Sequence, residues 1–560
     1  MSNATTSELT PVEGIKRRSN YLRGTIVESL ADAATGALAE DDTQLSKFHG
    51  FYQQDDRDVR NERLRQKLEP SHSFMIRMRV PGGIATPAQW MVLDELAQKY
   101  GNSTLRLTTR QAIQFHGVAK GHLKKTIAGI NRSLLDTIAA CGDVNRNVMC
   151  SPLAGRSEIH RVAYETATAI SDHLTPQTRA YHEIWLDGQK IDGAADVEPI
   201  YGATYLPRKF KIAVAIPPAN DVDIFSQDLG FIALEKDGEV IGFNVTAGGG
   251  MGMTHGEAGT YPRVADVIGF CSPGQAVEVA EHAVALQRDF GDRSNRKHAR
   301  LKYTIDDRGL DWFREELSGR LGYALAEPEK FTFLSRGDRF GWHMNLNGQW
   351  DLTLHVPQGR IGNEGPHRLA TGLREVARIH SGDFRLTPNQ NLIVGGIEAS
   401  ARQTIERLLE YYGVAGLQTV SPLRQQALAC VALPTCALAM AEAERYLPDL
   451  TAKIEGLLGK HGLLDEAITL RITGCPNGCA RPYLAEIGLV GKAPGRYNLF
   501  IGGSADGRRL NRLAHENLDE QRILELLDGL FAQFVGARRE QESFGDFAER
   551  AYLPLAGAGR

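Results

Sequence analysis

The 560-residue sequence predicts an α+β protein with mixed sheets, duplicated into two pseudo-symmetric halves. Strand patterns of period two alternate with amphipathic helical patterns along the chain. Three segments also recur in the same order, about 250 to 280 residues apart, which is typical of an internal duplication. The matched pairs are MIRMRVPGG with LTLHVPQG, LRLTTRQAIQFHG with FRLTPNQNLIVGG, and NVTAGGG with NLFIGGS.

Composition sets the class of protein before any motif is considered. The chain is 42% hydrophobic, 24% charged and carries a net charge of -4, so nothing favours a nucleic-acid or membrane partner. The amino-terminal segment has no apolar core of a signal peptide, and the longest apolar run, 427–441, is interrupted by Pro434. Seven cysteines, an odd number, fit a reducing compartment. We therefore expect a soluble, cytoplasmic protein.

Arginines dominate one face of the first predicted strands. In FMIRMRVPGG, Arg77 and Arg79 share the face opposite the apolar residues. A helix is predicted over Pro87–Tyr100, and the strand LRLTTR then places Arg106 and Arg110 on one face. Two neighbouring strands that both present arginines indicate a floor for an anion, although each strand alone fits a solvated face.

The next predicted strand carries two lysines, although its other residues are typical of a buried strand. The turn-like GDVNRNVMCSP places Arg146 before an amphipathic helix that starts near residue 159. In TYLPRKFKIAVAIPP, Lys209 and Lys211 fall on the same side of a strand rich in Ile, Val and Ala. Such lysines need a negatively charged partner. The glycine-rich segment 244–256 and a capping box at Ser272, opening a helix to about Phe290, complete this half.

Four cysteines in two close pairs mark the second half. They are Cys430, Cys436, Cys475 and Cys479, in ACVALPTCALAM and TGCPNGCAR. Four thiolates suit a tetrahedral metal or an iron–sulfur cube. The wide, apolar first pair and the tight turn of the second favour iron–sulfur chemistry. A zinc site and four cysteines that only pack remain open from the residues alone.

The two halves differ in chemistry at matching positions. Asn389 takes the place of Arg110, while Cys430 takes the place of Cys150. The first half therefore keeps the cations and the second half has the cysteines. We expect a site at their interface, with an anionic ligand on one side and a metal cluster on the other.

With these residues assembled, the chain resembles the siroheme-containing sulfite and nitrite reductase family, in particular its assimilatory, NADPH-dependent sulfite reductases. The resemblance runs from residue 19 to about residue 545. It depends on RLTTRQAIQFHG, NRNVMC, YLPRKFK, TGCPNGC and GLVGKAPGRYNL.

The resemblance implies two cofactors and the residues that hold them. A 4Fe–4S cluster would be held by Cys430, Cys436, Cys475 and Cys479, and Cys479 would also bridge to the siroheme iron. The implied substrate cations are Arg77, Arg146, Lys209 and Lys211. The implied siroheme residues are Arg106, Arg110, Gln114, His116, Arg208, Asn477 and Cys479. Since siroheme carries eight carboxylates, an arginine-rich pocket suits it.

The paired repeats, together with this resemblance, indicate how the chain is divided. We expect an amino-terminal arm at 1–70 that docks a partner, with about the first 15 residues disordered. Segments 71–138 and 341–417 would form a ferredoxin-like pair of half-domains. A first siroheme-binding domain would span 139–340, and a second domain carrying the cluster would span 418–560.

The implied activity is the six-electron reduction of sulfite to sulfide in sulfate assimilation and cysteine biosynthesis. No G-x-G-x-x-G follows a strand pattern, so electrons from NADPH are expected from a separate diflavin (FAD/FMN) subunit. The alternatives are nitrite reduction to ammonia, a ferredoxin-dependent sulfite reductase of the same fold, and a zinc-stapled RNA-binding protein. Near-neutral charge and the lack of aromatic–basic interleaving oppose the last.

Overall fold

The computed structural model describes residues 9–153, 157–177, 185–186, 189–190 and 198–554. Its α-helices are α1 (Pro11–Arg18), α2 (Ile26–Ala31), α3 (Glu40–Leu45), α4 (Arg57–Arg65), α5 (Pro87–Tyr100), α6 (Leu123–Arg132), α7 (Glu158–His173), α8 (Ala276–Phe290), α9 (Leu301–Arg308), α10 (Leu310–Leu321), α11 (Leu369–Ile379), α12 (Ala399–Tyr411), α13 (Pro422–Gln426), α14 (Leu447–Lys460), α15 (Glu520–Ala537) and α16 (Phe544–Phe547).

The strands alternate with these helices, as an α+β chain requires. They are β1 (Phe51–Asp55), β2 (His72–Arg77), β3 (Ile84–Ala85), β4 (Leu105–Leu107), β5 (Ile113–Val118), β6 (Met149–Cys150), β7 (Trp185–Leu186), β8 (Gln189–Lys190), β9 (Ile212–Ala215), β10 (Leu229–Lys236), β11 (Glu239–Ala247), β12 (Asp266–Cys271), β13 (Gly341–Met344), β14 (Trp350–Leu354), β15 (Arg360–Ile361), β16 (Asn363–Glu364), β17 (His367–Arg368), β18 (Asp383–Leu386), β19 (Leu392–Ile397), β20 (Leu428–Ala429), β21 (Leu470–Thr473), β22 (Ile487–Ala493), β23 (Arg496–Ile501) and β24 (Arg512–Leu518).

Two five-stranded sheets repeat one topology in the two halves. The first has the order β12-β11-β10-β9-β6, and the second has the order β24-β23-β22-β21-β20. In each sheet the first three strands along the chain run parallel and the last two are antiparallel. Identical order and direction confirm the predicted duplication and the α+β class.

The other two five-stranded sheets exchange strands. Their orders are β1-β2-β5-β4-β15 and β13-β14-β19-β18-β3. β15 comes from the second half and pairs with β4, with Arg360 opposite Arg106. β3 comes from the first half and pairs with β18, with Ala85 opposite Phe384. Each sheet is thus completed by an edge strand of the other repeat.

One apolar core serves both exchanging sheets. Trp90 on α5 stacks on Phe384 of β18, with ring centroids 4.7 Å apart and an interplanar angle of 17°. The same core includes Phe74 and Leu354 from the two matching strands. Burial of such aromatic pairs against each other is a large part of the stability of a core. The domain boundaries at 71–138 with 341–417 stay predictions, and this shared core supports them.

The amino-terminal arm is folded against the body of the protein. β1 adds an edge strand beside β2, with Phe51 opposite Ile76. In α1, Lys16 is 1% exposed and donates to Leu206 O at 2.9 Å. A buried lysine needs such partners, so the expected disorder does not extend to residues 11–15. Residues 1–8 lie outside the described part of the chain.

Local sequence signals set several boundaries directly. α5 begins after Thr86, whose side chain forms a capping box with Gln89, and Pro87 occupies the first helical position. A second capping box at Ser272 precedes α8, as predicted. The strand predicted through Lys209 and Lys211 is shorter, because β9 starts at Ile212.

Among the described residues, no helix has both the length and the apolar character needed to span a membrane.

Candidate functional site

The four predicted cysteine ligands lie on two loops at one edge of the second-half sheet. β20 and β21 run parallel, with Leu428 opposite Arg471, so the loops that follow them begin side by side. Cys430 directly follows β20, and Cys475 lies two residues beyond β21. The amide of Gly474 donates to Cys430 Sγ at 3.3 Å, which joins the two loops at the sulfur.

Small residues allow these loops to approach. A Cβ on Gly474 would lie 2.5 Å from Ala441 O and 2.6 Å from Ala432 Cβ, so no side chain fits there. Gly478 has a φ of 63°, in the left-handed region that glycine tolerates. The predicted tight turn before Cys479 is therefore present.

The four sulfurs are electrostatically coupled. Burial raises the pKa of Cys430 well above its usual value, and the charges of the other three cysteines raise it further. Burial and the Cys479 charge likewise raise the pKa of Cys436, and they raise that of Cys475 to about 11. A bound cationic centre would reverse this by stabilising the thiolates. In the described chain, no three His, Cys, Asp or Glu side chains converge to hold a single metal ion.

Cys479 lies where the second half contacts the first. It is the exposed member of the four, and Thr109 Oγ1 donates to its carbonyl at 3.0 Å. Arg481 Nη1 donates in turn to Thr109 O at 2.8 Å. Desolvation lowers the pKa values of Arg106 and Lys209, and the Cys479 charge opposes that lowering; the same charge contributes to the raised pKa of Arg77. The structure thus brings the cysteine of one half beside cations of the other.

Lys209 and Lys211 are two neighbouring ammonium groups in a buried setting. Desolvation, followed by the charges of Arg208 and Arg300, lowers the pKa of Lys209 to about 7. Desolvation and the Lys209 charge lower the pKa of Lys211 well below its usual value. Phe210, which lies between the two lysines and is buried, forms an isolated β-bridge with Asn145 in the turn of the first half. The backbone is therefore extended here, and both lysines lie on the same side of it although they precede β9.

Two arginines from separate segments complete the predicted cation set. Arg77 at the end of β2 donates to Cys141 Sγ at 3.0 Å. Its pKa is lowered by burial but raised more by the Cys141 and Tyr52 charges, so it is raised overall. Arg146 donates through Nε and Nη2 to Gly142 O, at 2.9 and 2.7 Å. Both guanidinium groups are therefore held in place by the protein.

Two of the predicted siroheme residues, Arg106 and Arg110, are arginines that donate to backbone carbonyls. Arg106 is 2% exposed and faces the first cysteine loop, where it donates to Ala429 O at 2.9 Å and pairs with Glu444 at 3.1 Å. Arg110 donates to Asn147 O at 2.7 Å and to Ile212 O at 2.6 Å, but its Nε has no partner among the described residues. Arg106 thus supports the cluster side of the site.

His116 and Gln114 form a short polar chain toward Arg77. Oriented by these neighbours, the Gln114 amide accepts from Arg77 Nε at 3.0 Å and donates to His116 Nε2 at 3.3 Å. Burial and the charges of Arg360, Arg106 and Arg77 lower the pKa of His116 well below its usual value. The imidazole is therefore neutral, and its Nδ1 has no hydrogen-bond partner within the described chain.

A cationic cavity of about 310 Å³ lies beside Lys209 and Asn477. It is lined by Arg208, Lys209, Gly252, Met253, Thr254, Arg296, Lys297, Arg300, Tyr303 and Asn477. Arg296, Lys297 and Arg300 were not predicted. The basic run RSNRKHAR at 293–300 was the signal that could have identified them. Asn477, whose role the resemblance implied, lies in the same wall, and its Nδ2 donates to Cys475 Sγ at 3.5 Å.

Duplicated half-domains that place four cysteines against a cationic cavity define the class of nitrite and sulfite reductases. The family model described as "Nitrite/Sulfite reductase ferredoxin-like half domain" matches residues 65–133 and 345–411. The model described as "Nitrite and sulphite reductase 4Fe-4S domain" matches residues 165–325. That match covers the first of the two equivalent domains, whereas the four cysteines lie in the second.

Full-length relatives narrow the class to one family. The sulfite reductase (NADPH) hemoprotein beta-component of Myxococcus xanthus is 58% identical over 97% of this chain and 96% of its own length. The proteins of the same name from Oceanobacillus iheyensis and Geobacillus kaustophilus are 56% and 57% identical, over 97% and 96% of this chain and 94% and 95% of their own lengths. The chain belongs to the family of sulfite reductase (NADPH) hemoprotein beta-components.

A solved structure shows the same fold at low identity. The Mycobacterium tuberculosis NirA protein superposes with a TM-score of 0.79, at 24% identity and over 97% of both chains. Likeness at this identity concerns the fold alone. It confirms the predicted arrangement of duplicated mixed sheets.

The residues present fit the two cofactors of the family. Four coupled sulfurs on adjoining loops suit a cluster with four thiolate ligands. The cavity carries five cationic side chains, which suit a macrocycle with many carboxylates. Two buried nitrogens of predicted siroheme residues, Arg110 Nε and His116 Nδ1, lack a protein partner among the described residues.

Proposed function

We propose that this chain catalyses the six-electron reduction of sulfite to sulfide at a siroheme coupled to a 4Fe–4S cluster. Electrons come from NADPH through a separate flavoprotein subunit. The observation that supports this best is the cluster of unpaired cations beside Cys479. Within the described chain, neither Lys209 nor Lys211 forms an ion pair. Lys209 lines the cavity with Arg208 and Arg300, and the Lys209 and Arg300 charges act on Lys211.

We assign binding of the substrate anion to the cation set predicted from sequence. Arg77 and Arg146 are fixed by protein acceptors, so they supply permanent positive charge. Together with Lys209 and Lys211 they suit a dianion such as sulfite better than a monoanion such as nitrite. Their burial strengthens the attraction, because charges act over longer range where water is excluded.

We assign proton delivery to the lysines. Each oxygen of sulfite leaves as water, so each departure needs protons at a buried site. A lysine whose pKa lies near 7 can bind the anion as an ammonium and then release its proton. Arginine does not readily lose a proton, so Arg77 and Arg146 bind and orient.

We assign the cofactor-holding roles by position in the site. Cys430, Cys436, Cys475 and Cys479 would hold the cluster, and the resemblance gives Cys479 a second role toward siroheme. Siroheme would be held by Arg106, Arg110, Gln114, His116, Arg208 and Asn477, to which the cavity adds Arg296, Lys297 and Arg300. When bound, the siroheme and cluster supply the electron transfer that no side chain can perform.

We further propose that the partner is a diflavin (FAD/FMN) reductase and that the complex works in the cytoplasm. The family name specifies a beta-component and NADPH, which implies a second subunit that oxidises NADPH. The amino-terminal arm remains our candidate for the docking element.

An anaerobic assay tests the proposed function without the partner. The purified protein is given a reduced viologen dye and either sulfite or nitrite. We expect a siroheme spectrum, about five equivalents of iron (four in the cluster and one in the siroheme) and about four of acid-labile sulfide. We also expect sulfide formation from sulfite at a higher kcat/KM than ammonia formation from nitrite. Faster nitrite reduction supports the nitrite reductase alternative, and protein that binds neither cofactor rejects both.

A further inference from the structure

The amino-terminal arm contacts the first cysteine loop through one arginine. Arg57, the first residue of α4, donates its backbone N–H to Pro434 O at 3.2 Å. Its Nη1 donates to Ala439 O at 2.5 Å and lies 3.4 Å from Cys436 O. These acceptors lie before, at and after Cys436, so a single residue spans the whole turn that carries this sulfur.

The contact lies on the solvent side of the loop. Leu438, two residues after Cys436, is 66% exposed, and Cys436 itself is only partly buried. On its inner side the loop packs on the apolar core through Ala432 and Ala439. On the outer side, hydrogen bonds to its carbonyls add to how firmly it is fixed. Arg57 supplies these bonds from a segment 379 residues away in sequence.

The charge of Arg57 acts on the sulfur as well. Within the described chain Arg57 forms no ion pair, whereas its neighbour Asp58 is paired with Arg445 at 2.6 Å. Its guanidinium donates to Ala439 O and lies 3.4 Å from Cys436 O, so its positive charge is held against the turn that carries this sulfur. The guanidinium therefore stabilises negative charge at this corner of the cysteine set.

We propose that Arg57 is a positioning residue for the iron–sulfur centre, which holds the Cys436 loop closed and raises the reduction potential of the bound cluster. This rests on the proposed function, because it requires that the cysteines hold a cluster. Reduction adds negative charge, and a nearby cation stabilises the reduced form more than the oxidised form. The arm thereby affects electron uptake without touching siroheme or substrate.

Two substitutions separate the hydrogen bonds from the charge. Arg57→Gln removes the charge and shortens the reach, whereas Arg57→Lys keeps the charge and can reach one carbonyl. The matched control is Arg65→Gln on the same helix, since Arg65 is 77% exposed and pairs only with Glu62, at 3.2 Å, among the described residues. Each protein is purified with its cofactors, and its folding is checked by thermal melting.

Two readouts other than turnover decide the outcome. In an EPR-monitored redox titration, we expect a more negative cluster potential in Arg57→Gln and wild-type potentials in Arg57→Lys and Arg65→Gln. Loss of iron to a chelator should be about tenfold faster in Arg57→Gln, the scale of losing an outer contact to a metal ligand, and intermediate in Arg57→Lys. If Arg57→Gln folds but binds no cluster, while Arg57→Lys folds and binds one, the positioning role is also supported. Arg57 would then be needed for cluster binding itself.

Specific results overturn the inference. A wild-type potential in Arg57→Gln rejects the charge effect, and wild-type iron loss in both Arg57 variants rejects the positioning role. Either result with intact sulfite reduction leaves the proposed function standing. Wild-type protein without cluster or siroheme instead rejects the proposed function itself.

Discussion

Two lysines separated by a single residue account for much of the chemistry at the residue scale. A lone buried ammonium is destabilised by lost hydration, and a second ammonium nearby adds repulsion. Lys209 and Lys211 experience both effects, and no described carboxylate pairs with either of them. This arrangement costs stability in the absence of an anion, so it indicates a site built to receive one.

Lys209→Met should lower sulfite turnover by roughly a hundredfold, the range for losing a positioned proton donor. The methionine keeps the stem volume, so both cofactors should stay bound. Sulfide formation and siroheme absorbance per protein are measured together, with exposed Lys236→Met as the control. Heme loss in proportion to activity would mean that Lys209 only pairs with a cofactor carboxylate, and full heme with unchanged sulfide production would remove Lys209 from the mechanism.

The pH dependence of turnover should follow the Lys209 proton. The ammonium is the active form, so the rate should be flat below the pKa and fall as pH rises above about 7. Bound anions stabilise the ammonium, so the falling limb should lie at or above that value. Profiles of kcat from about pH 6 to 9 for wild type and Lys209→Met test this. A falling limb that persists unchanged in the variant contradicts it.

Cys479→Ser should abolish cluster binding and its coupling to siroheme, because a hard hydroxyl oxygen poorly replaces a bridging thiolate. Cys271→Ala is the matched control, since Cys271 is buried in another core and has no ligand role here. Cys150→Ala should likewise leave both cofactors bound. Iron content and the visible spectrum are measured on folded protein. Cluster loss in either alanine variant would show that the ligands are misassigned.

At the scale of elements, the sequence predicted what local signals control. α5 has its predicted bounds because Thr86, Pro87 and Gln89 determine its start. The segment around Lys209 was predicted as strand, yet it only bridges to the Asn145 turn, because strand length depends on the neighbouring chain. The strand face of Arg106 predicted a floor for an anion, and the family resemblance assigned this residue to siroheme. Its contact with Ala429 depends on packing of the two halves, which no local pattern encodes.

A buried carboxylate joins elements of different domains. Asp223, with a fully buried side chain, pairs with Arg471 at 2.6 Å and Arg481 at 2.5 Å, and Arg336 lies 3.6 Å away. Burial raises the pKa of Asp223, but the three guanidinium groups lower it more, so the net pKa is well below 3.8. This ion cluster joins β21, which precedes the second cysteine turn, to the segment between β9 and β10.

Asp223→Asn should destabilise the protein by about 3 to 5 kcal/mol, the cost of leaving buried charges without a partner. The carboxylate contribution is complete above its usual pKa near 3.8 and is lost as pH falls through the lower folded value. The variant should therefore lose stability equally at pH 5 and 8. Urea unfolding at both values measures this, with surface Asp266→Asn as the control expected to cost below about 1 kcal/mol. A cost as small as that of the control would contradict the assigned role.

At the scale of the whole molecule, neither repeat is complete on its own. β15 closes the sheet of the first repeat and β3 closes the sheet of the second, around one shared core. A chain ending at residue 340 lacks β13 to β15 and half of that core. We expect it to be insoluble or to expose apolar surface, as measured by dye binding and proteolysis. Co-expression with residues 341–560 should restore soluble protein, and a soluble, protected fragment alone would contradict this view.

Strand exchange also imposes an order in time on the newly made chain. Arg360 contacts Thr104 across 256 residues, and a ribosome needs roughly 10 to 50 s to synthesise that length. During this interval the apolar face around Trp90 has been translated, but its stacking partner Phe384 has not. The first half of the chain therefore exposes part of its apolar core until the second half has been synthesised, and it can aggregate during that time. A chaperone that covers this apolar surface would raise the yield of native protein.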